Sequence, residues 1–165
     1  MQKSIPLVKQ YMTGQARTVR ADESLAEVSD LMHRHAIRHV PVVSGEGTVV
    51  GILSHGNVQT ALTHCIGKTL RAEDVMLPTP YVVSPDAELP GVVDHMISAK
   101  IGSAIVQDGE AGVVGIFTTI DALAFLREIL FIQYGTDPER SESLSKGRFT
   151  GLGGTPMGDR WPFWT

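Results

Sequence analysis

A repeat that runs without a gap at an offset of 64 residues limits what this chain can fold into more than any other feature. Met12 recurs as Met76, Val19 as Val83, Asp22 as Asp86, Leu25 as Leu89, Val28 as Val92 and Met32 as Met96. The register then continues through Ile37/Ile101, Val42/Val106, Gly45/Gly109, Glu46/Glu110, Val49/Val113 and Gly51/Gly115. Between Val8 and Leu62, 16 of 55 positions match their partners, where chance would give only a few. A repeat of this length is one supersecondary unit used twice, and any fold assigned to the chain must contain two copies of it.

Each copy carries the same junction near its end. Gly51-Ile52-Leu53-Ser54-His55-Gly56-Asn57 and Gly115-Ile116-Phe117-Thr118-Thr119-Ile120-Asp121 both read as a buried strand running directly into a helix. Thr118 stands where unpaired N–H groups and a helix dipole favour an anion. Asp121 would repel a phosphate but could accept both hydroxyls of a ribose. Together they sketch a nucleotide site. Ser54 and Asn57 repeat the sketch with a neutral amide, a poorer ribose acceptor.

The remaining elements follow from periodicity and turn chemistry. Leu7, Val8, Tyr11 and Met12 suggest a short helical lead-in, and 17–20 a short strand. Asp22 or Ser24 caps a helix, the second choice completing an S-x-x-E box with Glu27, and Leu25, Val28, Leu31, Met32 and Ile37 give that helix an apolar face. Strands at 39–43 and 48–53 flank the turn Ser44-Gly45-Glu46-Gly47, and a helix runs from His55 to His64. In the second copy the strand is 81–83, and Asp86 is expected to cap the next helix, with Pro90 in its first turn. A hairpin joins 103–107 to 112–117, and the last helix spans Thr119 to Tyr134 and stops at Gly135. The organisation is therefore 1–64, a first repeat with its lead-in; 65–74, a linker; 75–135, the second repeat; and 136–165, a Gly-, Ser- and Pro-rich tail ending in Trp161, Phe163 and Trp164.

Composition excludes several classes. A net charge of −4 with a pI near 5.8 argues against a general nucleic-acid binder. The sequence contains no apolar stretch long enough to span a bilayer, so no membrane role is expected. The lone Cys65 fits a reducing, cytoplasmic setting. His33, His35 and His39 mix a helix end with a strand start and lack carboxylate or cysteine company, so they read as an exposed helix end and not a metal site. No Ser–His–Asp arrangement stands out from accident, and no catalytic residue is assigned.

A duplicated β-α-β-β-α unit with G-h-h-[ST]-x-x-[DN] at each hairpin exit resembles a tandem pair of cystathionine-β-synthase (CBS) domains, a Bateman module, over roughly residues 8–132. The resemblance implies an α/β (α+β) fold in which two repeats pack as a pseudo-twofold pair, small sheets flanked by helices. It also implies a stand-alone regulatory module and not an enzyme. Its ligand would be AMP, ADP or ATP, with S-adenosylmethionine or NAD ranked after these, held between the repeats and reported to an effector protein.

Carried over by position, the resemblance puts Asp121 on ribose and Thr118 on phosphate in a primary cleft. Ala16, Arg17, Thr18, Ile37, Arg38 and His39 would surround the base, with Arg38 and His39 at the cleft mouth, and Gly102 and Ser103 would lie near the phosphates. A secondary cleft would use Ser54, Asn57, Pro80, Tyr81, Val82 and Ile101, together with Gly102 and Ser103, and Asn57 ranks it second. Two modules are expected to pair as a disc-like homodimer through the apolar excess at 122–132 and its counterpart at Val58, Ala61 and Leu62. The alternative is a ligand-free dimerisation module.

Overall fold

A computed structural model describes residues 4–65, 69–109 and 111–135, so the expectation for the aromatic tail lies outside the described residues. Residues 1–126 form one compact unit that holds most of both repeats. From Arg127 the chain belongs to a second unit, described through Gly135 as the rest of the last helix.

The repeat in the sequence is a repeat in the fold. In the first copy β2 (Val19–Arg20) leads through α1 (Leu25–Arg34) to β3 (His39–Val43), which pairs parallel to β2 with Val19 beside Val42. A hairpin then returns as β4 (Val49–Ser54), antiparallel to β3, and passes directly into α2 (His55–His64). The second copy repeats this with β5 (Val82–Val83), α3 (Leu89–Ala99), β6 (Ser103–Asp108), β7 (Gly112–Thr118) and α4 (Thr119–Tyr134). Parallel strands need a helical crossover, whereas the hairpin needs only a short turn. That turn is fixed by Ser44 Oγ, which accepts from the N–H groups of Glu46 and Thr48, and by Gly47 at φ 83°.

The helix ends follow local rules. Ser24 caps α1 by accepting from Glu27 N–H at 3.2 Å, while the Glu27 carboxylate accepts from Ser24 N–H at 3.3 Å. The expected Asp86 cap on α3 is not found: Glu88 holds the cap position without a side-chain bond, Pro90 sits in the first turn, and Asp86 pairs with Lys9 at 2.6 Å. At their C-terminal ends α1 and α3 stop identically. Ala36 (φ 51°) and Lys100 (φ 54°) turn left-handed, and the N–H groups of Ile37 and Ile101 reach back to the carbonyls of Met32 and Met96 at 3.0 Å. This turn delivers Ile37–His39 and Ile101–Ser103 to the starts of β3 and β6, between the two repeats.

Each repeat borrows its lead-in from across the pair. β1 (Thr13–Gly14), from the first lead-in, pairs antiparallel with β7 of the second copy, giving a sheet ordered β1-β7-β6-β5; the other sheet is β2-β3-β4. Reciprocally, Leu77 of the second lead-in bridges Ile52 on β4. Val8 N–H donates to the Ala87 carbonyl at 3.0 Å, and Ala72 N–H to that of Glu23 at 2.9 Å, the same bond one repeat apart. Val8 is therefore buried in the second core with Leu89, Val92, Met96, Ala104, Val106 and Phe117. Ala72 is buried in the first core with Val19, Leu25, Val28, Met32, Val40, Val42, Leu53 and Val58. Each of the larger side chains in these cores contributes about 1.5–3 kcal/mol when fully covered.

Val58 corrects one expectation. It is fully buried inside its own repeat and is no part of a surface. On α4 no residue is buried, and Ile120, Leu123 and Leu126 are 67%, 58% and 47% exposed. Phe125 turns inward, its ring centroid 4.4 Å from that of Tyr11.

Candidate functional site

Both junctions are N-caps built from a strand-ending hydroxyl and a polar side chain three residues on. Ser54 Oγ accepts from Asn57 N–H at 3.2 Å and donates to Asn57 Oδ1. At the second junction Asp121 Oδ2 accepts from both the N–H and the hydroxyl of Thr118 at 2.7 Å, and Asp121 N–H approaches Thr118 Oγ1 at 3.4 Å. The other carboxylate oxygen accepts from the Thr13 hydroxyl at 3.1 Å, a bond across the borrowed lead-in. Oδ2 already accepts two bonds, so only Oδ1 has room for one more donor, and Asp121 can offer a sugar a single acceptor while holding the helix start.

Beside Ser54 and Asn57 lies a cavity of 410 Å³ between the repeats. The first repeat contributes His39, Ile52, Ser54 and Asn57. The lead-in of the second contributes Leu77, Thr79, Pro80 and Tyr81, helix α3 contributes His95 and Ala99, and the turn into β6 contributes Ile101, Gly102 and Ser103. Tyr81 and His95 are stacked, with centroids 4.0 Å apart and planes at 26°. His39 packs against Gly102, where a β-carbon would sit 3.4 Å from Nε2. Burial lowers the His39 pKa from its ordinary value, and the neighbouring Arg38 charge pushes the same way.

The residues expected in the secondary cleft thus come together: Ser54, Asn57, Pro80, Tyr81 and Ile101 share one cavity, with Gly102 and Ser103. Val82 is not among its lining; it sits in β5 opposite Ile105 and is 39% exposed. His39, expected beside Asp121, faces this cavity too. Ala16, Arg17, Thr18, Ile37 and Arg38 lie outside it, at positions 64 residues from Pro80, Tyr81, Val82, Ile101 and Gly102. On that side partial desolvation lowers the His35 pKa from its ordinary value, and the charges of Arg17 and Arg34 push the same way.

Sequence reasoning missed Leu77, Thr79, His95, Ala99 and Ile52. His95 and Ala99 are one turn apart on α3 and so share a face. That spacing is the signal in the sequence that puts both on the cleft side of α3. Among the described residues no group of three or more His, Cys, Asp or Glu could hold a metal ion, and no helix is long and apolar enough to cross a membrane.

Known proteins share this architecture. The CBS domain pattern matches residues 8–64 and again 72–128. The CBS domain pair of protein MJ0100, crystallised in complex with 5′-methylthioadenosine and S-adenosyl-L-methionine, superposes with a TM-score of 0.69 at 26% identity, covering 76% of this chain and 98% of that one. A Vibrio cholerae protein assigned to acetoin utilization (AcuB) superposes with a TM-score of 0.72 at 26% identity, covering 80% and 99%. Inosine-5′-monophosphate dehydrogenase of Methanocaldococcus jannaschii is 28% identical over 106 residues, which are 64% of this chain but only 21% of that enzyme. The pattern falls twice at the offset of the internal repeat, and each match holds one strand–helix–hairpin–helix unit. The chain belongs to the CBS domain family, as a tandem pair.

Proposed function

We propose that this chain is a regulatory module that holds an adenosine-type ligand between its repeats and reports occupancy to a partner protein. The observation that carries this reading is the inter-repeat cavity at Ser54 and Asn57. Its volume falls in the range of small-ligand sites, which are mostly apolar with a few convergent polar groups. Ile52, Leu77, Pro80, Tyr81 and Ile101 supply the apolar body for a purine, while Ser54, Asn57 and Ser103 supply hydroxyl and amide partners for a sugar. The similar CBS pair of MJ0100 holds two adenosine derivatives. Because both repeats line the cavity, a ligand there would favour one arrangement of the pair, which is what a partner could read.

In this reading the Thr118–Asp121 junction serves a second cleft with Ala16, Arg17, Thr18, Ile37 and Arg38, whose guanidiniums suit phosphates. The ligand acts as a regulator and not as a catalytic cofactor, and two copies pair through the exposed apolar face of α4. Thermal shift and titration calorimetry against AMP, ADP, ATP, NAD, S-adenosylmethionine and adenosine test the ligand. A compound at a hundredfold its Kd raises stability by about 2.7 kcal/mol. The absence of any shift across the series would overturn the reading.

A dimerisation module without a ligand is the second reading. Asp121 favours it, since Thr118 and Thr13 already engage both carboxylate oxygens.

A further inference from the structure

The two strand–helix junctions stand at equivalent places but in different electrostatic surroundings. Among the described residues lining the Ser54–Asn57 cavity there is no Asp, Glu, Lys or Arg. The positions equivalent to Asn57, Tyr81 and Gly102 carry Asp121, Arg17 and Arg38 in the other half of the pair. We infer that the Ser54–Asn57 cavity selects an uncharged adenosine nucleoside over phosphate-bearing nucleotides. This rests on the adenosine reading above and names the ligand class for one of its two clefts.

The cost of burying an anion decides the matter. A phosphate dianion leaving water needs cations or several donors to replace its hydration, and without them the transfer is strongly unfavourable. The helix start at Ser54 offers little. His55 N–H already donates to the Arg38 carbonyl at 2.8 Å, and Asn57 N–H to Ser54 Oγ at 3.2 Å. The lining groups that could become cationic are His39 and His95, and burial together with Arg38 disfavours the protonated form of His39. Arg38 itself is exposed and outside the lining, so its charge acts through solvent. A nucleoside needs none of this. Its base finds apolar and aromatic walls, and its hydroxyls find Ser54, Asn57 and Ser103.

The test is calorimetry of the whole chain with adenosine and with AMP near neutral pH. Binding is assigned to a cleft by NMR of the His39 and His95 imidazoles, which share this cavity. Adenosine should perturb both rings and bind at least about tenfold more tightly there than AMP. Ala99→Arg adds a cation to the cavity lining and should narrow that preference, read as the ratio of the two Kd values, at least about threefold. If AMP perturbs His39 and His95 and binds as tightly as adenosine, the charge selection is wrong and the adenosine reading stands. Adenosine binding that leaves both imidazoles unmoved also overturns the inference. If neither compound binds, the inference falls, while the adenosine reading falls only when the whole series above fails to bind.

Discussion

The sulfur of Met76 lies against the bare backbone of Gly51, where a β-carbon would be 2.5 Å from Sδ and 2.9 Å from the Leu77 carbonyl. Its counterpart is the sulfur of Met12 against Gly115, with a β-carbon 2.6 Å from Sδ and 2.9 Å from the Thr13 carbonyl. The flexible thioether could yield, but the carbonyls belong to the borrowed lead-ins and could not yield without breaking their bridges. Gly51→Ala and Gly115→Ala should each lower stability by about 1–3 kcal/mol, the cost of overpacking a close contact. Urea unfolding of the two variants measures this, and a change within error at both sites would show that the lead-ins shift freely.

Asp121 holds the start of α4 through Thr118 and ties it to the lead-in through Thr13. Asp121→Ala removes these acceptors and should cost about 0.5–2 kcal/mol, as for loss of a cap. Asn57→Ala removes only the acceptor for the Ser54 hydroxyl and should cost less. Thermal melts without ligand rank the pair. The reverse order would mean that the Thr13 bond is of no consequence in solution.

Acid should weaken the fold through His39. Its folded pKa is lowered from 6.5 by burial first and by Arg38 second. Between that lower value and 6.5 the unfolded chain binds more protons than the folded one. Stability is therefore complete above the ordinary value and declines as pH falls from it toward the folded value. His35 is shifted in the same direction, so it adds to the slope. His39→Gln should flatten the decline in urea midpoints from neutral to mildly acidic pH, and an unaltered slope would exclude His39 as a source.

Leu123 and Leu126 are the residues to test for pairing of two copies. Phe125 is occupied with Tyr11 and Val58 is internal, whereas Leu126 is 47% exposed and Leu123 58%. Covering such a side chain is worth about 1.5–3 kcal/mol before association costs. Leu126→Asp should give a folded monomer by light scattering where the wild type is a dimer. A monomeric wild type at high concentration would remove the proposal.

The sequence made most of the fold legible because the repeat, the hairpin turns and the Ser24–Glu27 cap are local patterns. The offset alone aligned α1 with α3 and both junctions with each other. What stayed hidden was non-local. The bond from Val8 to Ala87 and the bridge from Leu77 to Ile52 join segments far apart in the chain, and a strand as short as Thr13–Gly14 has no period to detect. Asp86 looked like a cap because its pairing with Lys9 could not be seen. At the site, Asp121 outranked Asn57 on side-chain chemistry. The open volume beside Asn57 depends on Leu77, Tyr81 and His95, which belong to the other repeat.

The exchange of lead-ins sets an order of events during synthesis. When residue 64 has left the ribosome, every helix and strand of the first repeat exists, yet its core still lacks Ala72 and its edge still lacks Leu77. The segment from Val8 to Gly14 has emerged but must wait unpaired until Leu89, Phe117 and the whole of β7 follow. Neither half can close before the other is nearly made. Premature termination or cleavage between the repeats should therefore leave two incomplete pieces exposed to proteolysis, not two small domains.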